Sequence, residues 1–107
     1  MRLLESDFQA KLIKKLDVMF PGCVILKNDS SYKAGIPDLL ILFMGKWAML
    51  ECKQSAKSRF QPLQPYWIAR LDEMYFCRVI HPDNEEAVLH DLQHALEPGG
   101  HTCCVEC

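Results

Sequence analysis

Two carboxylates and an amine flank the most apolar part of this chain. Asp38 precedes the run Leu39-Leu40-Ile41-Leu42-Phe43, and Glu51 and Lys53 follow the run Trp47-Ala48-Met49-Leu50, with Met44, Gly45 and Lys46 between. Charged groups are seldom set beside buried strands without a partner. Two kinds of chemistry fit. In a structural ion pair, Lys53 neutralises Asp38 or Glu51 at a strand end. In a hard-cation site, Asp38, Glu51 and the backbone carbonyl of Cys52 supply the oxygens that Mg²⁺ prefers. Lys53 then orients or deprotonates a water and stabilises charge developing on a phosphate. The preceding Gly35-Ile36-Pro37 favours the second account. Pro37 sets the direction of the strand, and Gly35 permits a close backbone approach.

These groups meet only if the two apolar runs pair. Short continuous apolar runs on either side of Met44-Gly45-Lys46 read as two buried strands in a tight hairpin. A turn centred on Gly45-Lys46 sets position 44 against 47, 40 against 51 and 38 against 53. Opposed residues share a face and successive ones alternate. Asp38, Glu51 and Lys53 then cluster on one face, at the end away from the turn. A loop one residue longer sends Asp38 to the other face.

Pro37-Asp38, twelve intervening residues and Glu51-Cys52-Lys53 resemble the PD-(D/E)XK nuclease signature. Gly35-Ile36-Pro37-Asp38-Leu39-Leu40 is similar to the matching segment of its VRR-NUC branch, as are Ser58, Arg59, Gln64, Trp67 and Leu71 downstream. The likeness runs from Glu5 to Leu92. Phe60, Pro62 and Pro65 depart from it, where that branch continues straight into a helix.

The resemblance implies an α/β fold with a restriction-endonuclease-like αβββαβ core, a central mixed four-stranded sheet flanked by helices. It implies a Mg²⁺-dependent, structure-specific DNA endonuclease, with Mn²⁺ as a substitute metal and no organic cofactor. Asp38, Glu51 and the Cys52 carbonyl bind metal in this reading, and Lys53 handles the water or the scissile phosphate. Glu5 is the first-helix acid that reaches the metal, and Gln64 stands beside it. Small stand-alone members of such families include homodimeric resolvases of four-way (Holliday) junctions, which makes branched DNA and a second copy the expected partners. A repair or flap nuclease of the same fold is the alternative, as is a non-catalytic module that grips DNA. Ordinary roles compete for two of these residues: a helix-dipole acid for Glu5 and a helix-end hydrogen bond for Gln64.

The chain has 107 residues, half of them apolar and 24% charged, which suits one small soluble domain over residues 1–97. Net charge is −2. Its distribution matters more than its sum. Residues 27–60 carry six positive groups against three negative, a surplus of three. Residues 72–97 carry seven acids against Arg78 alone, a deficit of six. The basic excess surrounds the candidate site and suits a phosphate groove, with Ser30, Lys33, Lys57 and Arg59 as the DNA-contacting side chains. No run is long enough to span a bilayer, and Glu5 and Asp7 turn the N-terminus acidic too early for a signal peptide. Six cysteines without a disulfide framework point to a reducing cytoplasm; the resemblance implies that of a bacterium or a phage-infected host.

The remaining elements follow from periodicity and breakers. Ser6 with Gln9 reads as a capping box opening a helix with Phe8, Leu12, Ile13, Leu16 and Met19 inward, ended by Pro21-Gly22. Residues 23–27 read as a first strand, and residues 28–35 as a polar loop at the lip of the site. A helix is expected over residues 62–74, with Leu63, Trp67, Leu71 and Met74 as its core stripe and Pro62 or Pro65 in its first turn. Residues 75–80 form a fourth strand, parallel to the one ending at Lys53 because a helix separates them. Asp83 with Glu86 forms a second capping box, opening a helix through His94. His90 and His94 read as surface residues. Phe20, Tyr32, Phe43 and Trp47 are candidates for a dimer surface. Residues 98–107, with His101, Cys103, Cys104 and Cys107, read as a flexible tail, since Cys-Cys-x-x-Cys lacks the paired spacing of zinc sites.

Overall fold

Helix α1 (Glu5–Met19) buries Phe8, Leu12 and Leu16, the stripe expected from helical spacing. Its capping box does not form. The helix starts at Glu5, with Leu4 at the N-cap and no side-chain cap. That leaves Ser6 inside the first turn, and the Gln9 side chain bonds the Cys52 thiol instead. The structure, a computed structural model, describes residues 4–97; the tail expected over 98–107 lies outside them. No helix among the described residues is long and apolar enough to cross a membrane.

Four strands follow in the spatial order of the chain: β1 (Val24–Lys27), β2 (Leu39–Phe43), β3 (Lys46–Cys52) and β4 (Cys77–Ile80). The first three pair antiparallel, and β4 joins β3 in parallel, so the sheet is mixed. Helix α2 (Gln64–Met74) is the crossover that parallel pairing requires. Helix α3 (Glu85–Leu96) closes the order α1-β1-β2-β3-α2-β4-α3.

The hairpin register differs from the expected one. Phe43 pairs with Lys46 and Leu39 with Leu50, so the turn is Met44-Gly45 rather than Gly45-Lys46. Both turn residues have positive φ, +53° and +78°. Two-residue turns of that kind match the right-handed twist of the strands they join. Carried one step past Leu39–Leu50, the register sets Asp38 against Glu51, not Lys53. The pairing has shifted by two residues. An even shift leaves every side chain on its original face, so the expected cluster survives.

One sheet face carries the core. Leu39, Ile41, Ala48, Leu50 and Cys52 pack there with Phe8, Leu12 and Leu16 of α1 and Val88, Leu92 and Leu96 of α3. Phe20 is fully buried, and Phe43 packs on it with ring centroids 5.3 Å apart. Phe20 is not available for a dimer surface, because it lies in the core; Phe43 is half-buried. Tyr32 is 85% exposed, and Trp47 is half-buried against Tyr75.

Among the described helices, only α2 covers the opposite face, at its β4 end. Helix α2 packs on β4, with Pro65, Ile68 and Ala69 near Cys77 and Val79. The expected core stripe is shallow: Leu63 and Met74 are 48% and 58% exposed, while Gln64 is buried. A single edge strand cannot cover a whole helical stripe. Helix α3 also lacks its expected capping box. Asn84 stands at its N-cap, and that side chain turns back instead, accepting from His81 N–H at 2.8 Å and donating to Val79 O at 3.0 Å. An ion pair between Lys15 and Glu85 joins α1 to the first turn of α3. The helix runs two residues past His94 to Leu96, and His90 and His94 are exposed on it.

Candidate active site

Asp38 and Glu51 stand where β2 begins and β3 ends. Asn28 holds that corner: its N–H donates to Asp38 O and its amide to Pro37 O, each at 2.8 Å. The two acids are bound to each other's strands. Asp38 N–H donates to Glu51 Oε1 at 3.2 Å, and Cys52 N–H to Asp38 Oδ2 at 2.9 Å. Asp38 Oδ1 has no hydrogen-bond donor among the described residues. Cys52 turns its side chain into the core.

Lys53 and Gln64 complete a buried network. Lys53 Nζ donates to Arg59 O and Gln64 Oε1, both at 3.0 Å, and lies 3.3 Å from Glu51 Oε2. Those three acceptors match the three protons of an ammonium. Gln64 Nε2 donates to Glu51 Oε2 at 2.7 Å, while its Oε1 also accepts from Gln61 N–H at 2.8 Å. A carboxylate on one side and an ammonium on the other set which end of the amide is which. Gln64 thus makes the helix-end hydrogen bond expected of it and also bridges Glu51 to Lys53.

Gly35 explains how α2 comes this close. Its φ is +85°, and a Cβ there would lie 2.7 Å from both the carbonyl carbon and Cβ of Leu63, and 3.0 Å from Gln64 N. Only glycine lets the loop of residues 28–38 abut the start of α2.

A cleft of 540 Å³ opens over these groups, lined by Glu5, Ser30, Asp38, Glu51, Lys53, Arg59 and Gln64 among others. Glu5, from the first turn of α1, lies at its exposed edge. Of the expected DNA contacts, Ser30 and Arg59 line the cleft. Lys33 lies outside it, with Nζ 4.9 Å from the centre of the Trp67 ring, and Lys57 is exposed elsewhere on the loop. The sequence reading missed Asn28, the Arg59 carbonyl and Phe60, whose ring centre lies 5.0 Å from Lys53 Nζ. A lone asparagine directly after an apolar strand was a signal for the first; a backbone carbonyl leaves none.

Negative charge is crowded here. Burial, then the nearby Asp38, pushes Glu51 up to about 7, against the pull of Lys53. Burial also raises Asp38, offset by the Cys52 N–H and Lys53. Glu5 is raised by burial first and by Asp38 second. A cation would relieve all three. Among the described residues no three His, Cys, Asp or Glu side chains are gathered into a ready-made cage. Mg²⁺ keeps several waters and takes one or two carboxylates. The free Asp38 Oδ1 and the adjacent Glu51 fit such an ion.

No family model matches the chain, and no curated protein or solved structure matches it either.

Proposed function

We propose that this chain is a Mg²⁺-dependent, structure-specific DNA endonuclease with a restriction-endonuclease-like core of the VRR-NUC type. One observation carries the reading: a half-buried Asp38 beside a buried Glu51 and Lys53, the latter two bridged by Gln64, on the floor of an open cleft. A mere strand-end ion pair needs neither the bridge nor the cleft.

In this reading Asp38 and Glu51 hold the metal, with the Cys52 carbonyl and Glu5 beside them. Bound Mg²⁺ supplies Lewis-acid stabilisation of a phosphoryl oxygen and a more acidic water. The chain's own residues orient the rest. Gln64 keeps Glu51 Oε2 and Lys53 Nζ apart and correctly turned. Lys53 gives up its longest contact, the 3.3 Å approach to Glu51, to a phosphate oxygen, where its charge opposes the charge that develops in the transition state. Ser30 and Arg59 line the route by which a backbone enters, and such contacts position DNA without reading its sequence. Shape is then the basis of recognition, which favours branched DNA, with four-way junctions first and flaps as the alternative.

The test incubates linear, single-stranded, flapped and four-way-junction DNA with the protein, in Mg²⁺ or in chelator. Cleavage is expected in Mg²⁺ alone, lost in Glu51→Gln and in Asp38→Asn while DNA binding is kept. Lys53→Ala is expected to lose turnover and retain Mg²⁺. Binding without cleavage by the wild-type chain on every substrate would leave the non-catalytic module; cleavage by both acid variants would move the chemistry elsewhere.

A further inference from the structure

Lys33, Tyr66 and Trp67 form a group that the cleft does not use. Lys33 Nζ stands 4.9 Å from the centre of the Trp67 ring, and the Tyr66 ring meets Trp67 edge-on with centres 5.1 Å apart. Trp67 is half-buried, Tyr66 is 56% exposed, and Tyr32, next to the exposed Lys33, is 85% exposed. Fastening the loop of residues 28–38 to α2 does not account for them, because Gly35 already packs that loop on Leu63. Rings that serve a core turn their faces inward, whereas two of these three stand in water. Exposed aromatic rings interleaved with positive charge are the make-up of a surface on which unpaired bases stack.

The group begins at the rim of the cleft. Leu63 lines the cleft, and Trp67 N–H donates to Leu63 O at 3.1 Å, one helical turn further on. Ile36 lines both the cleft and a shallow groove of about 300 Å³ that Tyr32 and Lys33 border. Arg70, four residues past Tyr66, shares another groove with it. Two of the nearby acids are already taken: Asp29 by the N–H and hydroxyl of Ser31, and Asp72 by Arg78. Glu73 borders the Arg70 groove and tempers that charge, which makes Lys33 the principal cation of the surface.

We propose that Tyr66 and Trp67, with Tyr32 from the loop, form a stacking platform for the unpaired bases of a DNA single strand, and that Lys33 and Arg70 take its phosphates. The charge selects this occupant over an amphipathic peptide helix, which would ask for an apolar groove. Lys33 is the movable part. In the free protein its ammonium covers the ring face that a base would use. An ammonium is held weakly on a ring near water, and a base stacks there more strongly. The base therefore takes the indole, and Lys33 swings from ring to phosphate. Bases inside a duplex have no free face, so paired DNA cannot make this exchange.

Titration of the full chain with an oligodeoxythymidylate of about 16 nucleotides reads the platform. Chelator is present throughout, so that no strand is cut. Trp47→Phe leaves Trp67 as the one tryptophan. Its emission should be quenched saturably by the single strand and not by a duplex of equal length. Tyr66→Ala, at an exposed position, should weaken binding about tenfold, and Tyr66→Phe should restore it, because the ring and not the hydroxyl is used. Lys33→Ala should lower the slope of log affinity against log salt by about 0.7, one phosphate contact being lost; Tyr66→Ala should leave that slope alone. Unchanged Trp67 emission, or equal quenching by duplex, overturns the platform and leaves the rings to a protein partner. Full affinity in Tyr66→Ala, or a slope that Lys33→Ala does not move, overturns the exchange. The binding does not rest on the nuclease reading: quenching by a chain that cuts no DNA keeps the platform and removes that reading, and cleavage without quenching does the opposite.

Discussion

Glu51 is the residue whose charge state decides the most. Its 1% exposure and its neighbour Asp38 hold the carboxyl at about 7, against 4.5 in its ordinary setting. The folded chain therefore binds that proton more tightly than the unfolded chain does. Between about 4.5 and 7 the folded state holds more protons, so metal-free stability falls as pH rises through that window. The full effect is on the order of 3 kcal/mol. Urea unfolding at pH 5 and at pH 8 should show the wild-type chain weaker at pH 8, with the difference largely gone in Glu51→Gln. Mg²⁺ binding should run the opposite way and strengthen as pH rises through 7, since the ion requires the carboxylate. Equal wild-type stability at both pH values would mean that Lys53 and Gln64 compensate Glu51 fully.

Among the elements, the approach of α2 to the loop of residues 28–38 sets the site. Gly35→Ala places a methyl group 2.7 Å from Leu63 backbone at a φ of +85°, and backbone cannot swing aside as a side-chain tip can. The expected loss is about 2 kcal/mol of stability from strain and displacement. Cleavage should fall further than that loss explains, because Gln64 moves with Leu63. An active, fully stable Gly35→Ala would show that α2 can shift without cost to the network.

Much of this level was legible in the chain. Phe8, Leu12 and Leu16 gave α1, and two apolar runs around a glycine gave the hairpin. The turn was placed one residue late because only Gly45 advertises positive φ; Met44 adopts it without any local sign. The face of Asp38 was still right, because strand faces depend on parity and not on the exact partner. Both capping boxes failed because each helix starts one or two residues away from the expected cap, at Leu4 rather than Ser6 and at Asn84 rather than Asp83, which no local pattern reveals. The stripe Leu63, Trp67, Leu71 and Met74 was expected in the core and does not reach it. How little sheet lies beneath it depends on strand order, and periodicity does not carry that.

At the scale of the whole molecule, a net charge of −2 conceals a division between halves. Arg59 lines the cleft and Lys57 projects from the same loop, so phosphate binding should release counterions there. The logarithm of DNA affinity should fall linearly with the logarithm of salt concentration. Replacing Lys57 and Arg59 together by alanine should flatten that slope by about two units. Titrations at several salt concentrations give both slopes directly, and an unchanged slope in the double variant would place the DNA on another surface.

Helix α2 has a consequence for how the protein fails on heating. The one residue it buries is Gln64, which belongs to the site, while its apolar side rests on the edge strand β4 alone. The main core of α1, α3 and the sheet includes no residue of α2. Segments with little buried apolar surface open locally at a fraction of the global free energy. Catalysis should therefore be lost several degrees before the fold melts, and return at once on cooling. Cleavage rates and sheet circular dichroism followed through one temperature ramp would separate the two events; a single shared midpoint would mean that α2 melts with everything else.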